Sequence, residues 1–227
     1  MRLPILCYHK VGSEEVEGRW LTIHPDRLRS HIQFFKRRGY QTVQAQSLAS
    51  ETWPERAYCL TFDDAYTSTL ENGVPVLLSE GVTATIYAVP GKVGRTSDWD
   101  GDRAAPLADW PVLLEAQSRG IEIGNHTMNH PRLPQLSPED CIEEVRSAQQ
   151  TLEGHEIRTA SIAYPYGDWS AETARLAGEA GLRVGLILEK RIARSTEPRL
   201  QLPRIPLSYG DSIASLIYKL WVRPILP

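Results

Sequence analysis

The stretch Ala57-Tyr58-Cys59-Leu60-Thr61-Phe62 runs directly into Asp63 and Asp64. It lacks strict polar alternation, which is typical of a parallel strand buried on both faces. A second short run, Ile121-Glu122-Ile123-Gly124-Asn125, ends in the same manner at His126-Thr127-Met128-Asn129-His130. In parallel α/β folds, functional side chains gather at the carboxyl ends of the strands. We therefore expect these two motifs to meet at one edge of the sheet.

The remainder of the chain alternates short apolar runs with amphipathic stretches. Strands are predicted over residues 3–8, 40–43, 57–62, 84–89, 121–125, 160–164, 183–188 and 204–208. Helices are predicted over residues 25–38, 138–153, 171–180 and 212–222, and within 67–80 from near Pro75. This alternation predicts an α/β fold with parallel strands, either an open doubly wound sheet or a closed barrel. No linker or repeat is visible, so we predict a single domain over residues 1–227, with 91–109 as a loop over the site.

The composition limits the classes of function. The 227 residues are 41% hydrophobic and carry a formal net charge of -3 with no long run of one sign, which argues against a nucleic-acid partner. No stretch predicts a transmembrane segment or a signal peptide, so we expect a cytoplasmic protein. The three widely spaced cysteines suggest buried free thiols rather than disulfides.

The two motifs supply the ligands of a metal site. Asp64, His126 and His130 would form a site of two histidines and one carboxylate with open positions, which suits Zn²⁺ and also accepts Fe²⁺, Co²⁺ or Ni²⁺. The four-residue spacing of the histidines matches one face of a helical turn. Asp63 is then free to act as a base. Taken singly, an Asp pair more often caps a turn and a His pair more often lies in a core or on a surface.

These residues resemble the polysaccharide deacetylase family, carbohydrate esterase family 4, and in particular its biofilm-glycan de-N-acetylases. The resemblance rests on Thr61-Phe62-Asp63-Asp64, His126-Thr127-Met128-Asn129-His130, Tyr164-Pro165-Tyr166-Gly167 and the opening Pro4-Ile5-Leu6-Cys7-Tyr8-His9-Lys10-Val11. It implies a single distorted (β/α) barrel with about seven parallel strands. It also implies Asp63 as catalytic base, Asp64, His126 and His130 as metal ligands, and the Tyr166 N–H as donor to the oxyanion.

The chain departs from the common pattern of this family at two places. It lacks the Arg that often precedes the Pro-Tyr segment, and it lacks the Leu-x-His motif that often supplies the general acid. We expect His9 to take the role of the acid, because the first and last strands of a closed barrel are neighbours. Arg204 is the candidate for the missing Arg beside Asp63. Asp109 either orients the acid or simply caps the helix that follows it.

The resemblance predicts a carbohydrate substrate. Tyr164, Pro165, Trp99 and Trp110 are candidate substrate contacts, although ordinary loop packing would explain each tryptophan. We expect a hydrolase that removes the N-acetyl group from an acetamido sugar, in a glycan or a glycan precursor, by means of a metal-activated water. The alternatives are a deformylase or O-acetyl esterase acting in the same pocket, and a sugar-binding relative without catalysis.

Overall fold

The structure is a computed structural model that describes residues 1–222. Its strands are β1 (Arg2–Leu3), β2 (Ile5–Tyr8), β3 (Lys10–Val11), β4 (Thr22–Ile23), β5 (Gln41–Val43), β6 (Ala57–Phe62), β7 (Thr85–Ala88), β8 (Glu122–Asn125), β9 (Ser161–Ala163), β10 (Val184–Ile187), β11 (Ala193–Arg194), β12 (Leu202–Pro203) and β13 (Ile205–Pro206). Its α-helices are α1 (Glu14–Glu17), α2 (Pro25–Lys36), α3 (Val74–Glu80), α4 (Trp110–Ser118), α5 (Pro138–Gly154), α6 (Ala171–Glu179) and α7 (Ile213–Ile217). No helix within the described residues is long and apolar enough to cross a bilayer.

The main strands form a ring, in the order β12, β10, β9, β8, β7, β6, β2 and β13, and all of its pairings are parallel. Arg204 alone separates β12 from β13, so the two are one extended segment. Its first half pairs with β10 and its second half pairs with β2, which closes the ring. With this segment counted once, the predicted barrel of about seven parallel strands is confirmed, and the open-sheet alternative is excluded.

The barrel is irregular beside β6. Strand β5 pairs with residues 57–59 of β6, whereas β7 pairs with Thr61 and Phe62 farther along the same strand. Two strands therefore share one edge of β6. The interruption between β12 and β13 at Arg204 has a local cause as well. Pro203 and Pro206 have no N–H to donate to a neighbouring strand.

Helix boundaries follow the capping residues closely. At the start of α5, the Ser137 side chain accepts a hydrogen bond from the Asp140 N–H at 3.1 Å. The segment 67–80 differs from prediction, because it is helical well before Pro75 and contains one π-helical turn, Thr69–Gly73, that runs into α3. Pro75 has no N–H for a regular helical bond, and a π turn directly before the proline leaves that bond out.

The two faces of the barrel strands have different surroundings. Their outward side chains, such as Leu60 and Phe62, belong to a large apolar cluster that includes residues of α2 and α3. The inward side chains include polar groups: Glu122 accepts hydrogen bonds from Ser161 Oγ at 2.7 Å and Thr85 Oγ1 at 2.8 Å. This network lies near the amino ends of the strands, beside apolar side chains such as Ile5 and Val184, and the functional site lies at the opposite end.

Candidate active site

A cavity of about 360 Å³ opens at the carboxyl ends of the barrel strands. His9 follows β2, Asp63 and Asp64 follow β6, His126 follows β8, and Tyr166 follows β9. The residues that line the cavity are His9, Trp20, Leu21, Asp63, Asp64, Trp99, Asp100, His126, His130, Arg132, Tyr166, Leu188 and Pro206. The strand ends that carry the sequence motifs thus do converge on one opening.

Asp64, His126 and His130, here called the Asp64 cluster, face one another inside this cavity. Asp64 Oδ1 lies 3.3 Å from the Nε2 atom of each histidine, and all three residues are buried. The Nδ1 atom of His126 bonds to the Ala163 carbonyl at 2.7 Å, so in a neutral ring the proton is on Nδ1 and Nε2 carries a lone pair.

The Asp64 cluster fits a divalent cation. Asp64 Oδ1 is buried without a hydrogen-bond partner among the described residues, and the lone pair of His126 Nε2 points at it. Adjacent lone pairs repel each other and leave buried acceptors unsatisfied, which costs free energy unless a cation lies between them. The three ligand atoms lie within 4.8 Å of one another, which suits a shared metal ion.

The loop that carries the two histidines is not the helical turn that their spacing predicted, and that prediction is wrong. Thr127 and His130 have left-handed backbones, with φ of 66° and 63°. The loop is instead built by side-chain caps: Asn125 Oδ1 accepts from the Thr127 N–H at 2.8 Å, and Thr127 Oγ1 accepts from the His130 N–H at 3.1 Å. Asp64 is also left-handed, with φ of 70°. Two of the three proposed ligands, Asp64 and His130, thus have left-handed backbone.

Asp63 points to a different partner from Asp64. Arg204 is fully buried and donates to both oxygens of the Asp63 carboxylate, at 2.6 Å and 2.8 Å. Burial raises the pKa of Asp63, but the Arg204 guanidinium, together with smaller effects of His126 and His9, more than offsets this and holds the pKa below its ordinary value. The contact that the sequence predicted between Arg204 and Asp63 is present, and its role in catalysis stays a prediction.

Arg204 is itself placed by the barrel interior. Its guanidinium lies 5.9 Å from the ring centre of Tyr87 and donates to Thr61 Oγ1 at 3.2 Å. Tyr87 packs so closely on Gly124 that a Cβ there would lie 2.4 Å from the ring, so the neighbouring strand must carry a glycine at this point. The base and its cationic partner therefore depend on residues of three strands: Thr61 of β6, Tyr87 of β7 and Gly124 of β8.

His9 and Cys7 complete what we call the Asp63 cluster: Cys7, His9, Asp63 and Arg204. His9 Nε2 lies 4.0 Å from Asp63 Oδ2, and its side chain retains 16% exposure toward the cavity. The Cys7 thiol donates to Asp63 Oδ2 at 3.5 Å and is fully buried. Because β2 and β13 are neighbours in the ring, His9 lies beside the last strand of the barrel, as its predicted role requires.

Tyr166 lies at the cavity wall in a left-handed turn, with φ of 60°. Its side chain is 40% exposed and contacts His130 edge-on, with the ring centres 4.6 Å apart. The guanidinium of Arg132 lies 4.1 Å from the centre of the Tyr166 ring and pairs with Asp168. The sequence motif indicated Tyr166, but nothing in it indicated Arg132, which comes only two residues after His130.

Four predicted site residues lie away from this cavity. The Tyr164 hydroxyl is buried and donates to the Leu200 carbonyl at 3.0 Å, and Pro165 is also buried. Trp110 stacks on His155 with the ring centres 3.7 Å apart. Asp109 is the N-cap of α4 and accepts from the Val112 N–H at 3.2 Å, which is the structural alternative that the sequence left open.

Trp99 does reach the cavity, but its ring is stacked on a proposed ligand. The rings of Trp99 and His130 are 4.1 Å apart and inclined by 21°. The next residue, Asp100, also lines the cavity and accepts hydrogen bonds from Tyr66 Oη at 2.5 Å and Ser97 Oγ at 2.6 Å. Sequence reasoning missed Asp100, although its place beside Trp99 in the long loop was an available signal.

Comparisons with known proteins agree with this geometry. The family model described as polysaccharide deacetylase matches residues 50–185. YxkH of Bacillus subtilis is 28% identical over 218 residues, which cover 93% of this chain and 73% of that protein. A poly-beta-1,6-N-acetyl-D-glucosamine N-deacetylase of Staphylococcus aureus is 25% identical over 219 residues, covering 91% of this chain and 69% of that one. The structure of the Streptococcus pyogenes deacetylase PplD in complex with acetate has a TM-score of 0.83 and 26% identity, covering 96% and 98% of the two chains.

Proposed function

We propose a substrate and a division of labour for this chain on the premise that it belongs to the polysaccharide deacetylase family and is a carbohydrate deacetylase. The reaction is hydrolysis of the N-acetyl group of an acetamido sugar in a glycan or a glycan precursor. The sugar is inferred from the Staphylococcus aureus relative, which acts on an N-acetylglucosamine polymer by its name. The observation that carries the proposal is that Asp63 and Asp64, neighbours in sequence, have separate partners in one cavity.

Asp64, His126 and His130 are the residues that would hold the metal ion on which this family depends. We propose zinc, because two imidazoles and one carboxylate with an open position are a common ligand set of catalytic zinc. Cobalt, nickel and ferrous iron accept the same ligands. A bound ion would act as a Lewis acid on the acetyl carbonyl and would lower the pKa of a bound water.

Asp63 is the general base in this proposal. It takes one proton from the attacking water, while Arg204 holds both of its oxygens in a fixed direction through the bidentate contact. The lowered pKa of Asp63 keeps the carboxylate ionised throughout the neutral range, so the base is ready when substrate binds.

Tyr166 and His9 act on opposite sides of the carbon–nitrogen bond that breaks, Tyr166 on the acetyl group and His9 on the sugar nitrogen. The Tyr166 N–H donates to the carbonyl oxygen as negative charge develops there. His9 holds a proton at Nε2 and delivers it to the sugar nitrogen as the carbon–nitrogen bond breaks, because an amide anion is a very poor leaving group. The products are a free amino sugar and acetic acid, which then ionises to acetate, and the proton that Asp63 gained balances the one that His9 gave.

The direct test is acetate release from short N-acetylglucosamine oligosaccharides, with the metal supplied and Asp63→Asn as the matched inactive control. We expect the unmodified protein to release acetate and Asp63→Asn to release at least about 10²-fold less. N-formyl and O-acetyl sugars form the comparison panel. Faster turnover of either one would replace de-N-acetylation with deformylation or ester hydrolysis, and no release from any substrate would favour a sugar-binding protein.

A further inference from the structure

The two proposed histidine ligands are held in different ways. The ring of His126 has a hydrogen bond from Nδ1 to the Ala163 carbonyl, which fixes both its orientation and its tautomer. The Nδ1 atom of His130 is buried and has no hydrogen-bond partner among the described residues. A metal-binding histidine almost always has such a partner, so the means by which His130 keeps its orientation must be found elsewhere.

Aromatic rings surround His130 in place of that hydrogen bond. Trp99 stacks on its face at 4.1 Å, and Tyr166 meets it edge-on at 4.6 Å. A ring between two such contacts cannot rotate about its Cβ–Cγ bond without colliding with one of them, because folded interiors leave little free space. The aromatic contacts therefore restrict the direction in which His130 Nε2 points.

Trp99 is held firmly enough to do this. The loop around it is closed by the N–H of Ser97, which donates to the Ala105 carbonyl at 3.0 Å, and by a short antiparallel bridge between Thr96 and Pro106. Its neighbour Asp100 is anchored by Tyr66 and Ser97. The indole is consequently placed by its own loop rather than by contact with His130 alone.

We propose that Trp99 is a positioning residue for the metal site, in place of the missing hydrogen bond to His130. This inference rests on the proposed function only in taking the Asp64 cluster as the metal site. In this proposal Trp99 increases the affinity for the metal ion, whereas the sequence had suggested that it contacts the substrate. Loss of the indole would let the His130 ring turn and would weaken the site, whereas a phenyl ring would preserve most of the stacking.

The chain contains a matched control for this idea. Trp110 also stacks on a histidine, His155, at 3.7 Å and an angle of 13°, and neither residue lines the cavity. Removing this indole deletes a similar aromatic pair without touching the metal ligands. If a loss of zinc affinity reflected only the removal of an aromatic contact, it should be the same in Trp99→Ala and Trp110→Ala.

The experiment measures Zn²⁺ affinity by competition with a chelator in Trp99→Ala, Trp99→Phe, Trp110→Ala and the unmodified chain. We expect Trp99→Ala to bind zinc about tenfold more weakly, Trp99→Phe to lie between it and the unmodified chain, and Trp110→Ala to match the unmodified chain. The visible spectrum of the Co²⁺-loaded protein should change in Trp99→Ala and not in Trp110→Ala.

The possible failures are distinguishable. Equal zinc affinity in Trp99→Ala and Trp110→Ala would overturn the role of Trp99 and leave the proposed deacetylase untouched. An unmodified chain that binds no zinc, cobalt or nickel would overturn the metal site, and with it both the proposed mechanism and this inference.

Discussion

The Asp64 cluster and the Asp63 cluster contain similar atoms, yet the described structure leaves only the first open to a cation. Each offers three possible ligand atoms within 4.8 Å of one another, and each contains an aspartate and a histidine. In the Asp64 cluster, the carboxylate oxygen that faces both histidines has no hydrogen-bond partner. In the Asp63 cluster, Arg204 already occupies both carboxylate oxygens.

The protonation states of the two clusters extend this contrast. Burial raises the pKa of Cys7 well above its ordinary value, so this thiol stays protonated and is a poor metal ligand. A divalent ion bound there would also lie close to the Arg204 guanidinium, which already neutralises Asp63 and repels a further cation. The two clusters therefore differ in the partner of the carboxylate rather than in the presence of ligand-type residues, and this difference favours a metal ion at Asp64. We expect one metal ion per chain.

The largest expected effect on stability comes from breaking the cationic half of the Asp63 cluster. Arg204→Met should lower the free energy of unfolding by about 3–5 kcal/mol, because it leaves the Asp63 carboxylate buried and unpaired. Urea unfolding of the metal-free chain measures this directly. The double variant Arg204→Met with Asp63→Leu is the control, since removal of both charges should recover most of the loss. A small loss in the single variant would mean that water solvates Asp63.

His9 tests whether the Asp63 cluster supplies an acid as well as a base. His9→Asn should lower kcat by about 10²-fold while leaving metal content unchanged. A general acid must be protonated to act, so the fall of activity toward high pH that it causes should disappear in the variant. An unchanged kcat together with an unchanged pH profile would remove His9 from the mechanism.

The smallest expected effect is that of a change at Asp109, which lies outside the Asp63 cluster. As an N-cap it should contribute about 1 kcal/mol to stability and nothing to turnover. Asp109→Ala should therefore lower the melting temperature by a few degrees at unchanged kcat. A drop in kcat of tenfold or more would instead support the earlier alternative that Asp109 orients the acid.

The sequence predicted best those features that several neighbouring residues specify together. Strand positions followed from apolar runs, and Asp63, Asp64, His126 and His130 followed from their places at strand ends. The barrel closure was harder, because residues 202–206 contain two prolines and give a weak strand pattern. Only their two-sided pairing with β2 and β10 identifies them as the closing strand.

Side-chain direction was least predictable. Tyr164 and Tyr166 lie two residues apart, yet one is buried against Leu200 and the other lies in the cavity, because the turn between them is left-handed at Tyr166. The same holds for His126 and His130, whose helical spacing concealed a loop with two positive φ values. Local spacing fails wherever side-chain caps and tertiary packing override it.

The most direct test of the division between the two clusters is a paired measurement of metal content and acetate release in Asp63→Asn and Asp64→Asn. The two variants make the same chemical change at adjacent positions, so each is the control for the other. We predict about one metal ion per chain with little acetate release for Asp63→Asn, and loss of both metal and activity for Asp64→Asn. Retention of metal by Asp64→Asn, or its loss from Asp63→Asn, would contradict the assignment.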